Sequence, residues 1–452
     1  MDYTKRSDST EEAALIIGLG GTGTDAVIRL KRRIYGQLNL GEKDERTPES
    51  FNVKYLIIDS DSSKIKDQWR TAAAIDEKEE FFFIRGNDKI RNLCNEEYIK
   101  SRQEFYWLNY GYFSYDGNDR RWWSNNGIRQ LGRYLLVSSA ERIYEKIKAD
   151  IQSLLKENRN RDLTVHICTG LSGATGSGIF LDVCYLVRLA LQEMKKEDAV
   201  VCGYFFMPDV NISMPEIKMS SLLTEYIKVN GYTALQELDY CMNFSNNMDS
   251  FRMDYGFKKI DFGMKPVDLC WLVSATDASG KLLKDGYMHA ISSVCSFIDR
   301  FLMKTRNTDR ECVKEDEIWS LQKLMTVLNA ADAEVELRHG ANINYRIFGI
   351  DEEPLLWKNP LYTQTITKYN MKAIAREAAD GCEMMGCSSI VHIYSGVSLH
   401  AYQELWDWER AYESDRKPCR HLYERGSENW NLYNYLSNFP HFIGFPACPL
   451  VK

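Results

Sequence analysis

Long apolar runs are missing from this chain of 452 residues. No stretch approaches the ~18 uninterrupted apolar residues that cross a bilayer. The N-terminus, MDYTKRSDSTEEA, lacks the apolar segment of a secretory signal. A cytoplasmic protein without a membrane span is expected. An excess of basic charge is missing too: 57 Lys and Arg against 64 Asp and Glu leave a formal charge of −7, which gives no electrostatic reason to expect nucleic acid as a partner. Among 12 cysteines there is no C-x-x-C pair, and most lie in apolar segments. Free core thiols are therefore expected instead of a disulfide framework. The 7 histidines show no ligand spacing, so neither a metal site nor a Cys–His nucleophile has support. His166, on an apolar strand, reads as a satisfied core histidine. Residues 76 to 126 and 244 to 266 show neither a repeat nor low complexity.

What is present is the composition of a globular protein, 44% hydrophobic and 27% charged, in a chain long enough for two or three domains. From residue 13 to about 205, strands and helices alternate. The expected elements are Ala14 to Leu19, Thr24 to Tyr35, Val53 to Ile58, Ile128 to Ile151, Leu163 to Cys168, Gly178 to Met194 and Ala199 to Met207. Nearly all-apolar strands separated by helices predict an α/β fold with a parallel sheet covered on both faces. A further buried strand is expected at Leu269 to Val273, then a helix from Lys284 to Met303. Residues 76 to 126 and 244 to 266 break the alternation and read as insertions, the second with a hairpin-like FRMDYGFKKIDFG.

Two glycine-rich turns carry the chemistry. Val165 to Cys168 leads into Gly170-Leu171-Ser172-Gly173-Ala174-Thr175-Gly176-Ser177-Gly178, and Leu15-Ile16-Ile17 leads into Gly18-Leu19-Gly20-Gly21-Thr22-Gly23. A strand, a turn of small residues and a helix present unpaired backbone N–H groups at a helix N-terminus, where an anion is held by hydrogen bonds and the helix dipole together. Either turn alone is also the pattern of a tight connection between packed elements. Two such turns, both at the carboxyl ends of strands, are able to converge on one polyphosphate. Gly18-x-Gly20-x-x-Gly23 with Asp59 closing the next strand also satisfies a dinucleotide fingerprint, so an NAD-dependent enzyme is an alternative.

The segment Ser172 to Gly178 resembles the GGGTGSG signature of the tubulin and FtsZ superfamily, with Ala174 in place of one glycine. Gly18 to Ala26 is similar to the first nucleotide loop of the FtsZ branch, with Asp25 where that branch carries Asn. The resemblance implies a Rossmann-like GTPase domain, a central helix and an α+β C-terminal domain, as in a divergent bacterial tubulin-like protein. It also implies GTP or GDP with Mg²⁺ at the joint between stacked subunits. Carried over residue by residue, the implied nucleotide contacts are Gly20, Gly21, Thr22, Gly23 and Asp25 in the first loop and Asp59 and Asp61 after the second strand. Gly127 and Arg129 would face the terminal phosphate, and Ser172, Gly173, Ala174, Thr175, Gly176 and Ser177 would form the second cradle. Asn230, on an expected short helix from Glu225 to Leu235, would read the guanine edge, and Tyr287 would stack on the base.

In that superfamily the central helix runs into an acidic loop that completes the neighbouring subunit's active site. Here Asn307-Thr308-Asp309, then Glu311, follow the helix, the second acid falling two residues after the first and not three. A carboxylate there would orient water, a positioning task. Asn247-Met248-Asp249 fits the same pattern but precedes the strand at Leu269. The implied organisation is a tail at 1–12, a nucleotide-binding domain at 13–283, the central helix and acidic loop at 284–311, and a C-terminal region at 312–452 that is open to a protein partner. Self-assembly into filaments, with or without GTP turnover, is the implied function.

Overall fold

A computed structural model describes residues 13–37, 52–68, 71, 73–108, 128–156, 159–219, 221–242, 244, 250–273, 275, 282, 284–304 and 346–348. The chain begins with β1 (Ala13–Leu19), α1 (Gly20–Gln37), β2 (Val53–Asp59) and a short α2 (Ser63–Lys66). Next come β3 (Phe81–Phe83), α3 (Asn87–Leu93), α4 (Glu96–Lys100), α5 (Arg129–Val137) and α6 (Ala140–Leu154). The middle holds β4 (Leu163–Gly170), α7 (Thr175–Glu193), β5 (Val200–Phe206), α8 (Pro208–Ile212), α9 (Pro215–Lys218) and α10 (Ser221–Met242). A hairpin of β6 (Phe251–Asp254) and β7 (Lys259–Phe262) precedes β8 (Leu269–Val273), α11 (Gly286–Lys304) and β9 (Arg346–Phe348).

The strands of the main sheet lie in the order β3-β2-β1-β4-β5-β8-β9 and every neighbouring pair is parallel. Alternate residues of one strand feed two cores. Ala13, Leu15, Ile17 and Leu19 of β1 face one, Ala14 and Ile16 the other, and the same parity divides Leu56 and Ile58 from Tyr55 and Ile57 on β2. Both faces must be apolar because helices cover both, which is why the strands read as continuous hydrophobic runs. Helices α5, α6, α7 and α10 serve the first core, α1 and α11 the second. Arg33 Nε pairs with Asp299 Oδ2 at 2.7 Å and the Cys295 thiol donates to the Ala26 carbonyl, tying α11 to α1.

Several sequence expectations are refined. The helix expected at Ile128 to Ile151 is two helices, and the break lies at Ser139, whose amide bonds the Leu136 carbonyl three residues back while its hydroxyl takes the Leu135 carbonyl. The short helix expected at Glu225 to Leu235 lies inside the 22-residue α10. The insertion from residue 76 contains β3, α3 and α4 in its described part. The hairpin of the second insertion packs on α7, where Tyr185 stacks on Phe251 at 4.1 Å between ring centroids. In the C-terminal region, β9 pairs with β8 through residues 346–348 and extends the main sheet. The tail at 1–12, residues 109–127 and Asn247 to Asp249 lie outside the described residues, as does the remainder of the C-terminal region.

His166 is fully buried, with its ring nitrogens 3.2 Å from the Tyr204 and Thr164 hydroxyls. Burial lowers its pKa to about 3, so it is a neutral core residue. Among the described residues, Cys168, Cys184, Cys202, Cys241, Cys270 and Cys295 are buried free thiols and Cys94 is exposed. No helix among the described residues is long and apolar enough to cross a membrane.

One buried ion pair fixes the packing of α5 on α7. Arg133 Nε donates to Asp182 Oδ2 at 2.8 Å with both side chains fully buried. The Tyr255 hydroxyl donates to the same carboxylate at 2.7 Å, and the Trp107 ring lies 4.4 Å under the guanidinium. Removing one partner strands a buried charge. Asp182→Ala should cost about 3–5 kcal/mol in urea denaturation. Glu96→Ala, which breaks the exposed Glu96–Lys100 pair, should change stability by less than about 0.5 kcal/mol.

Candidate functional site

Both glycine turns leave the sheet where its strand order reverses, since β1 continues outward to β2 on one side and β4 to β5 on the other. β1 and β4 are direct neighbours with Gly18 opposite Cys168 and Leu19 opposite Thr169. The two turns, 150 residues apart in the chain, therefore start at the same height on adjacent strands. Crevices of this kind, at the carboxyl ends of strands, are where α/β sheets bind ligands.

The turns touch through their backbones. Gly20 has φ of +62°, and a Cβ placed on it would lie 2.5 Å from the Gly176 nitrogen. A Cβ on Gly176 would lie 2.5 Å from the Leu19 carbonyl oxygen. Any side chain at either position would push the loops apart, so glycine is required twice, once for conformation and once for approach. Helices α1 and α7 begin at Gly20 and Thr175, and their first-turn N–H groups lack partners within the helix. The juxtaposition is a double anion cradle.

Struts from four other elements hold it. The Ser60 hydroxyl, just after β2, shares a 2.6 Å hydrogen bond with the Thr175 hydroxyl. Arg129 of α5 donates to the Ser177 hydroxyl and to the Ser177 carbonyl, both at 2.8 Å, and pairs with Glu237 of α10. Ser177 in turn donates to the Leu171 carbonyl at 2.5 Å. The Asn230 amide of α10 donates to the Ser172 carbonyl at 3.2 Å. From α8, the Asn211 amide donates to the Thr22 hydroxyl at 3.4 Å.

The placements divide the expected site residues. Gly20, Gly21, Thr22, Gly23, Asp25, Ser172, Gly173, Ala174, Thr175, Gly176 and Ser177 come together in the two turns. Arg129 and Asn230, expected at the terminal phosphate and the base, are buried, with 0% and 1% exposure, and each reaches from its helix into the second turn. Asp59 is buried as well, accepting from the Ser60 and Asp61 amides and, at 3.2 Å, from the Thr24 hydroxyl. It anchors its own loop to α1. Asp61 is exposed and accepts from the Ser63 amide and hydroxyl at the start of α2. Gly127, Asn307, Asp309 and Glu311 lie outside the described residues.

Tyr287, at the start of α11, donates through its hydroxyl to Asp25 Oδ2 at 2.6 Å. Burial and the neighbouring Asp25 push that hydroxyl well above the ordinary phenol range, so it remains a donor. Lys64 of α2 meets the same carboxylate oxygen at 2.5 Å and donates to the Gly21 carbonyl at 3.1 Å. Two buried polar atoms beside the turns, Ser172 Oγ and Asn211 Oδ1, meet no hydrogen-bond partner among the described residues. Buried polar atoms are rarely left so, and a polar ligand in the cradle would supply the partners. Among the described residues no group of three or more His, Cys, Asp or Glu is arranged to hold a metal ion. Sequence reasoning missed Ser60, Lys64 and Asn211. Ser60 and Asn211 carried a signal, their positions just past the carboxyl ends of β2 and β5, and Lys64 carried none.

Comparison with known proteins gives a match to the family model described as tubulin like over residues 15–351. Among curated proteins nothing matches. Solved structures similar to this chain include CetZ2 from Haloferax volcanii as a GTPγS-bound protofilament, with 12% identity and a TM-score of 0.36, covering 66% of this chain and 60% of that one. They also include an empty FtsZ dimer from M. jannaschii, with 14% identity and a TM-score of 0.36, covering 71% of this chain and 61% of that one. The chain thus spans about three fifths of the length of these two structures.

Burial raises the pKa of Asp59 from 3.8 to about 6, against hydrogen bonds that lower it. A folded-state value above the unfolded one means that the folded protein holds the proton longer. The contribution to stability is present below pH 3.8 and lost as pH rises through about 6. A rise of this size corresponds to about 3 kcal/mol. Relative to wild type, Asp59→Asn should gain up to about that much stability between pH 4 and pH 7 in denaturant titrations. A pH-independent difference between the two proteins would contradict the assignment.

Proposed function

The chain belongs to the tubulin-like family, and on that premise we propose that it binds a guanine nucleotide in the double cradle and self-assembles with the nucleotide at the joint between subunits. The observation that carries the reading is the backbone contact of Gly20 with Gly176. One cradle suffices for a dinucleotide, whereas two abutting cradles surround a polyphosphate from both sides. The unpartnered Ser172 hydroxyl fits the same ligand as a donor to a phosphate oxygen, while Asn211 Oδ1, an acceptor, fits a hydroxyl of the nucleotide's ribose. Asp61, exposed beside the cradle, fits a role in holding Mg²⁺ through one carboxylate, with phosphate oxygens and water as the other ligands.

In this reading the nucleotide's phosphates take hydrogen bonds from the first-turn amides of α1 and α7. Thr175, tied to Ser60, and Ser177, tied to Arg129, keep the second turn closed around the terminal phosphate. Tyr287, tied to Asp25, stacks on the base. GTP favours assembly, and Asp309 and Glu311 of one subunit orient water toward the γ-phosphate held by the next. Turnover then weakens the joint. This makes the protein a GTPase whose activity depends on assembly, with the C-terminal region open to a further protein partner. A second reading keeps GTP binding and assembly without turnover, favoured by the spacing of Asp309 and Glu311.

Gly176→Ala should weaken GTP binding at least about tenfold in calorimetry, the equivalent of about 1.4 kcal/mol. The wild type should sediment as polymer with GTP and not with GDP. Asp309→Ala should slow phosphate release while GTP affinity stays within about twofold. Polymer that forms with GTP yet releases no phosphate selects the second reading, and NAD displacing GTP from the wild type would refute the first.

A further inference from the structure

Lys64 stands against the first turn in a position that a surface ion pair does not explain. Its Nζ is 3.1 Å from the Gly21 carbonyl oxygen and 2.5 Å from Asp25 Oδ2. It also lies 3.7 Å from where a side chain on Gly21 would begin. Gly21 and Asp25 are one helical turn apart on α1, so the ammonium lies along the first turn of that helix. The N-terminal end of a helix carries partial positive charge and is an unfavourable place for a cation. Asp25 offsets that cost, but its Oδ2 already accepts the Tyr287 hydroxyl at 2.6 Å. The lysine side chain is 42% exposed, so only a partner of higher charge is needed to draw it from the carboxylate.

The local charge balance points the same way. Asp25 on the first turns of α1, Asp59 at the end of β2 and Asp61 just after it all border the cradle. Arg129, which reaches the second turn from α5, is committed to Glu237 and Ser177. A triphosphate arriving among these groups needs a cation able to turn toward it. Lysine suits that task as a point charge on a flexible four-carbon stem, with three donors free to rotate.

We propose that Lys64 is a phosphate ligand of the cradle, held on Asp25 when the site is empty and transferred to the nucleotide's phosphates when it is filled. The transfer rests on the reading of the site as a guanine-nucleotide cradle. It involves no covalent step: one ammonium exchanges a carboxylate partner for a phosphate partner, and Asp25 keeps the Tyr287 hydroxyl. The exchange also unlatches α2 from α1, so that the loop after β2 follows the phosphates.

Three full-length proteins, wild type, Lys64→Gln and Asp25→Asn, are titrated with GTP, inorganic tripolyphosphate and guanosine. Lys64→Gln should raise the Kd for GTP and for tripolyphosphate by about 10- to 100-fold, the range of one charge-assisted hydrogen bond. Its guanosine affinity should stay within about twofold. Asp25→Asn should bind tripolyphosphate more tightly than wild type, because the lysine is released beforehand. Equal affinities of Lys64→Gln and wild type for tripolyphosphate overturn the proposal, as does weaker tripolyphosphate binding by Asp25→Asn. A wild type that binds neither GTP nor tripolyphosphate overturns the reading of the cradle itself, which separates the two failures. Unchanged melting temperatures of both variants exclude misfolding as the cause.

Discussion

The contact between the Gly20 and Gly176 backbones organises everything around it. It requires two strands that are adjacent and in register, two turns that leave them at one height, and no side chain on either turn where they meet. The sheet order supplies the first condition, the pairing of Leu19 with Thr169 the second, and glycine the third. With these met, two helices begin at the same place and their unpaired amides face a common space.

Holding two positive helix ends together has consequences for the rest of the domain. The second turn is braced by Arg129, whose charge is in turn neutralised by Glu237 on α10. One layer deeper, Arg133 and Asp182 repeat the arrangement between α5 and α7. These buried pairs add little net stability compared with an apolar replacement, yet each joins one position of α5 to one position of α7 or α10 and so marks their register. That register sets where Ser172, Thr175 and Ser177 sit. On the opposite face, α11 packs on α1 and brings Tyr287 to Asp25. Both faces of the sheet therefore converge on the two turns.

The architecture was legible because the sheet is covered on both sides. Apolar runs such as Leu15-Ile16-Ile17 and Val200-Val201-Cys202 leave no other strand assignment, and small-residue turns mark the ends that face a ligand. Side-chain direction was not legible. Arg129 and Asn230 have residue types suited to phosphate and guanine, but their roles depend on partners, Glu237 and Ser172, that lie 108 and 58 residues away. Lys64 escaped notice because a lysine on a four-residue helix has no pattern of its own. The break at Ser138-Ser139 was missed because serine back-bonding competes with a helix only weakly, and apolar periodicity runs through it.

The central claim is that one triphosphate touches both turns at once. Amide hydrogen exchange of the full-length protein, with and without GTP, tests it directly. The account predicts that GTP slows exchange at residues 20–24 and 173–178 together, with the same concentration dependence. Slowing at 20–24 with no change at 173–178 would contradict it.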